Sequence, residues 1–212
     1  MRPGRVRLLA VIGGVILIGS IFLPRPGTGS IAGELEAWWG ALILTLQAEN
    51  ARAAEIVPLA GIVMALAYLP LCGLICALCG MTPRRLASTR FEVVSVLLLH
   101  TVFAGVLLAM GVGGVVVEDE WLPRPLYWGV AAVAAIVLIS AWLIGLRTRR
   151  EARLLRVNAP ALAAIALGCG GTATWLALQS EHGWSPWGLA ASATGAVLAL
   201  IATCLAPGKE PA

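Results

Sequence analysis

Apolar residues gather into six long runs, near residues 8–23, 56–80, 91–117, 126–146, 160–179 and 189–206, with short polar segments between them. A hydrocarbon core about 30 Å thick takes roughly 20 helical residues to cross, with a range of about 17–25. Each run reaches that length or comes close to it. The expected fold is therefore an all-α integral membrane protein, a six-transmembrane-helix bundle forming one membrane domain over residues 1–212. A seventh element differs in kind. From Leu35 the residues Leu35, Trp38, Trp39, Leu42, Ile43 and Leu46 follow the spacing i, i+3, i+4, i+7, i+8, i+11, a single stripe on a helix near residues 34–48. Too short to span, this amphipathic helix is expected to lie in the interface of the first outer loop. It serves either as a flap on the bundle's own rim or as a docking face for a partner or lipid.

Charge orients the bundle. Arg2, Arg5 and Arg7 precede the first run, Arg84, Arg85 and Arg90 follow the second, Arg147, Arg149, Arg150, Arg153 and Arg156 follow the fourth, and Lys209 lies in the tail. The alternate loops hold Glu34, Glu36, Glu49 and Glu55, then Glu118, Asp119 and Glu120, then Glu181. Short cytoplasmic loops carry the excess of basic residues, so both ends are placed inside. Trp38, Trp39, Trp121, Trp128, Trp184 and Trp187 fall at the outer ends of runs, where amphipathic rings settle at headgroup level. The first run admits a second reading, because Met1–Arg7, Leu8–Leu23 and Gly27–Ser30 also follow the order of a secretory signal peptide. That run exceeds the usual apolar core of such a peptide, and no clean cleavage site follows it.

Composition agrees with a lipid solvent. The chain is 59% hydrophobic and 12% charged, with a mean hydropathy of +0.90, against roughly 45–50% and 25% for a soluble domain. The net charge of +4 does not imply a nucleic-acid partner, since the arginines follow topology instead of clustering on one face. Scarce lysine beside abundant Ala, Gly and Arg suggests a GC-rich bacterial genome, and hence a bacterial inner (cytoplasmic) membrane. All five cysteines lie in or at the ends of apolar runs, so no disulfide framework is implied.

Candidate chemistry is sparse. No Asp, Glu, Lys or Arg falls centrally in any run, which disfavours a proton-coupled pump and excludes a voltage sensor. His100 is the deep ionisable group, about nine residues or 13 Å above the start of its run. A neutral imidazole there needs a hydrogen-bond partner on a neighbouring span, or else a ligand. Cys72, Cys76 and Cys79 share one helical face at i, i+4, i+7, with Cys72 at a depth comparable to His100. Cys72, Cys76 and His100 are thus candidate ligands for haem or a soft metal, although Cys is also an ordinary small packing residue. Small residues at four-residue spacing, including Ala10/Gly14, Gly61/Ala65, Gly105/Ala109/Gly113, Ala164/Gly168/Thr172 and Ala191/Gly195/Ala199, point to close helix packing. Leu23-Pro24-Arg25-Pro26 and Leu122-Pro123-Arg124-Pro125 recur at corresponding outer turns, a faint sign of a hairpin repeat.

Enzyme signatures are missing. Ser140 and Ser192 lie outside the Gly-x-Ser context of a membrane serine protease, His182 reads as a solvated loop residue, and no H-E-x-x-H, Walker A or dinucleotide-binding pattern occurs. The first reading is a non-catalytic multi-pass subunit that packs against other membrane proteins or against itself within the lipid bilayer, with no cofactor. The alternative is a small-solute transporter or channel. A further alternative is a redox subunit carrying haem or a metal on His100, Cys72 and Cys76.

Overall fold

A computed structural model describes residues 3–25, 29–48, 53–81, 90–116, 124–147, 153–178 and 186–206. Seven helices account for nearly all of them: α1 (Pro3–Ser20), α2 (Ile31–Gln47), α3 (Ala53–Met81), α4 (Arg90–Val116), α5 (Arg124–Arg147), α6 (Arg153–Leu178) and α7 (Trp187–Leu205). Between α1 and α2, two-residue strands β1 (Pro24–Arg25) and β2 (Gly29–Ser30) pair antiparallel. Gly29 takes φ +77°, a backbone region that costs glycine nothing. Ser30 then caps α2, its Oγ accepting from the Gly33 amide at 3.2 Å.

Five helices are long and apolar enough to cross a membrane: Leu59–Met81, Phe91–Val112, Tyr127–Arg147, Leu154–Leu178 and Trp187–Leu205. This marks a multi-pass membrane protein. The first run is shorter than its composition suggests. Its helix stops at Ser20, and residues 21–23 fold into a tight turn, with Ile21, Phe22 and Leu23 amides bonded three residues back. At the other boundary that moves, α6 begins at Arg153 instead of near Pro160, so Pro160 lies inside the helix.

Packing closes the helices into a ring. α1 touches α3, α3 touches α4, and the sequence continues through α5, α6 and α7 back to α1, while α6 also reaches α3 and α4 across the middle. α2 lies against α3. In lipid, association has little hydrophobic drive and depends on close packing. Glycines supply it on both sides of α1. A methyl group at Gly14 would sit 2.5 Å from the Gly73 carbonyl oxygen, and one at Gly13 would sit 2.7 Å from the Ala199 amide nitrogen. Gly111 against Ala131 and Gly61 against Met110 make equally close approaches elsewhere in the ring.

Arginines stand at several helix ends. Arg5 and Arg7 start α1, Arg147 ends α5 and Arg156 lies in the first turn of α6. Two of these arginines also cap helices. Arg7 donates to the Gly80 and Met81 carbonyls at 3.1 and 3.3 Å, and Arg156 donates to the Ala206 carbonyl at 3.4 Å. A cation at a helix C-terminus satisfies free carbonyls and complements the helix dipole. Arg2, Glu49, Arg84, Arg85, Glu118–Glu120, Trp121, Arg149, Arg150, Glu181, His182, Trp184 and Lys209, each named above, lie outside the described residues.

Candidate functional site

The ring encloses one polar junction, where α3, α4 and α6 meet. α3 brings Tyr68, Cys72 and Cys76 to one face, each a helical turn apart. α4 contributes His100 and Phe103, and α6 contributes Asn158. His100, Cys72, Cys76 and Asn158 are fully buried, and Tyr68 and Phe103 nearly so.

Two hydrogen-bonded groups form there. The Tyr68 hydroxyl lies 2.6 Å from His100 Nδ1. Its ring meets the imidazole edge-on, with centroids 5.7 Å apart, and stacks on Phe103 at 5.1 Å. Asn158 Nδ2 donates to the Cys72 carbonyl at 3.1 Å and to Cys76 Sγ at 3.2 Å. His100 Nε2 and Asn158 Oδ1 are left buried without a partner. An unsatisfied polar atom in an apolar interior costs roughly 1–3 kcal/mol.

Hydrogen counting sets the imidazole tautomer. If Tyr68 donates to Nδ1, the phenol hydrogen is used and Nε2 carries the proton, leaving one donor unpaired. The other tautomer strands both the phenol hydrogen and the Nε2 lone pair. The first arrangement leaves fewer orphans. A haem or metal ligand would need the lone pair at that position. Among the described residues, no three His, Cys, Asp or Glu side chains gather to hold a metal ion. The candidates Cys72 and Cys76 come together with Asn158, and His100 with Tyr68.

Tyr68 and Asn158 are absent from the sequence-derived set. Tyr68 stands one turn before Cys72 on the same face, a signal available in the sequence. Asn158 is hidden because Pro160 suggests a helix beginning after it.

A second polar pair ties α1 to α7. Ser20 and Ser192 face each other at 2.9 Å between hydroxyl oxygens, both buried, and they also approach the Leu17 and Gly188 carbonyls. Ser192 thus has a structural partner. On α5, Trp142 donates to Thr101 Oγ1 of α4 at 2.9 Å.

The stripe on α2 divides. Leu42 is buried, Leu35 and Trp38 are half-buried, and Trp39, Ile43 and Leu46 are exposed. The repeated Leu-Pro-Arg-Pro turns also differ, since Arg25 lies in β1 while Arg124 begins α5, and residues 122–123 lie outside the described part. Comparison of the chain with protein-family models, with curated proteins and with solved structures finds no match.

Proposed function

We propose that the chain is a non-catalytic accessory subunit of a membrane complex in a bacterial inner membrane, with six spans, both ends inside, α1 as the first span and α2 in the outer interface. The arginines at the start of α1 and α6 and the end of α5, against Glu34 and Glu36 on α2, support that orientation.

One observation carries the subunit reading. The first half of α6 is built into the core through Leu154, Leu155, Val157, Asn158, Ala161 and Leu162, but one face of its second half is left open. Leu167 is 78% exposed and Leu178 is 80% exposed. A methyl group added at Gly168 or Gly171 would meet nothing within 4 Å, whereas Gly13, Gly14, Gly73 and Gly195 are each pressed against a neighbouring helix. Gly168, Gly171, Thr172 and Trp175 share one face. Bare backbone toward lipid gains little, while small residues are what a helix uses to receive another helix. The lipid-facing side of α5, by contrast, is aliphatic, with Ile136, Ile139, Leu143 and Leu146 exposed.

The test is purification in mild detergent followed by mass determination. Wild type is expected in a complex that Gly168→Ile and Gly171→Ile dissociate while the helical content stays constant. A monodisperse lone monomer overturns the reading.

A small-solute transporter or channel is the second reading, and the orphan atoms His100 Nε2 and Asn158 Oδ1 favour it. It requires flux through proteoliposomes that His100→Leu abolishes. No bound haem or metal is expected, because Tyr68 donates to Nδ1 and, in the tautomer argued above, the ring proton occupies Nε2. A visible absorption band in the purified protein would refute this.

A further inference from the structure

We draw no further inference here: the strongest candidate, the open face on the second half of α6 with Gly168, Gly171, Thr172 and Trp175, already carries the subunit reading proposed above, and nothing in the structure shows what covers it.

Discussion

Gly14→Ala probes how tightly α1 is held. The added methyl carbon would lie 2.5 Å from the Gly73 oxygen, 2.6 Å from the Ala77 nitrogen and 3.0 Å from Ala77 Cβ. An ordinary carbon–oxygen approach is about 3.3–3.6 Å, so α1 and α3 must separate by about 1 Å. The obstructing atoms are mostly backbone, so no rotamer change relieves the clash. Nor can α1 move away freely, because Gly13 is already in close contact with Gly195 and Ala199 of α7. Overpacking of this kind costs about 1–3 kcal/mol, a roughly 5- to 150-fold loss in the folding equilibrium. Gly19→Ala is the internal control, since a methyl group there meets nothing within 4 Å. It should be neutral, or stabilising by up to about 1 kcal/mol through helix propensity. The assay is SDS titration from mixed micelles, followed by tryptophan fluorescence. The Gly13→Ala, Gly14→Ala double variant should lose more than the sum of the single losses, because each methyl group blocks the movement that would relieve the other. Equal midpoints for Gly14→Ala and Gly19→Ala would refute the clamped arrangement of α1.

Three further outcomes follow from the polar contacts. Tyr68→Phe removes the donor to His100 Nδ1 and should cost about 1–3 kcal/mol in the same titration. Its ¹⁵N imidazole spectrum should pass from one tautomer, protonated at Nε2, to a mixture, and an unchanged spectrum would contradict the tautomer assignment. Asn158→Ala takes away both bonds to α3 and should destabilise by about 1–3 kcal/mol, so a stability equal to wild type would show that those bonds hold nothing together. Arg7→Gln should lower stability by about 0.3–1 kcal/mol with a deficit that shrinks at high salt, and a salt-independent deficit would count against a charge-based cap on α3.

What the sequence discloses follows from what lipid demands. A span must be long and apolar, so five of the six predicted runs reappear as membrane-length helices with ends displaced by a few residues. The exceptions arise where local chemistry competes with hydropathy. Ile21, Phe22 and Leu23 are as apolar as the run before them, but Pro24 lacks an amide hydrogen and disfavours helix at the residue before it, and the chain turns at Ser20. In α6, Pro160 is tolerated inside the helix, so that Arg153–Asn158 are helical although arginine and asparagine make the segment read as a loop.

The site is harder to read than the fold for a related reason. Periodicity says which residues share a face, and it groups Cys72 with Cys76 and, one turn earlier, with Tyr68. It says nothing about which helix comes opposite. That depends on the ring order, and so on the close approaches of Gly13, Gly14, Gly73 and Gly195, which bring α1, α3 and α7 together. Only with α6 lying across α3 does Asn158 reach Cys72 and Cys76, and only with α4 beside α3 does Tyr68 reach His100. Each polar pair bridges two helices: Ser20 to Ser192 for α1 and α7, Tyr68 to His100 for α3 and α4, Asn158 to Cys72 and Cys76 for α6 and α3. Such bonds add modest stability in lipid, roughly 0.6 kcal/mol on average. Their larger effect is on register, because a helix that slides by one turn, about 5.4 Å, leaves both partners buried and unpaired. His100 Nε2 and Asn158 Oδ1 are orphan atoms at a junction where the Tyr68 hydroxyl, His100 Nδ1 and Asn158 Nδ2 use their hydrogen bonds to set helix alignment.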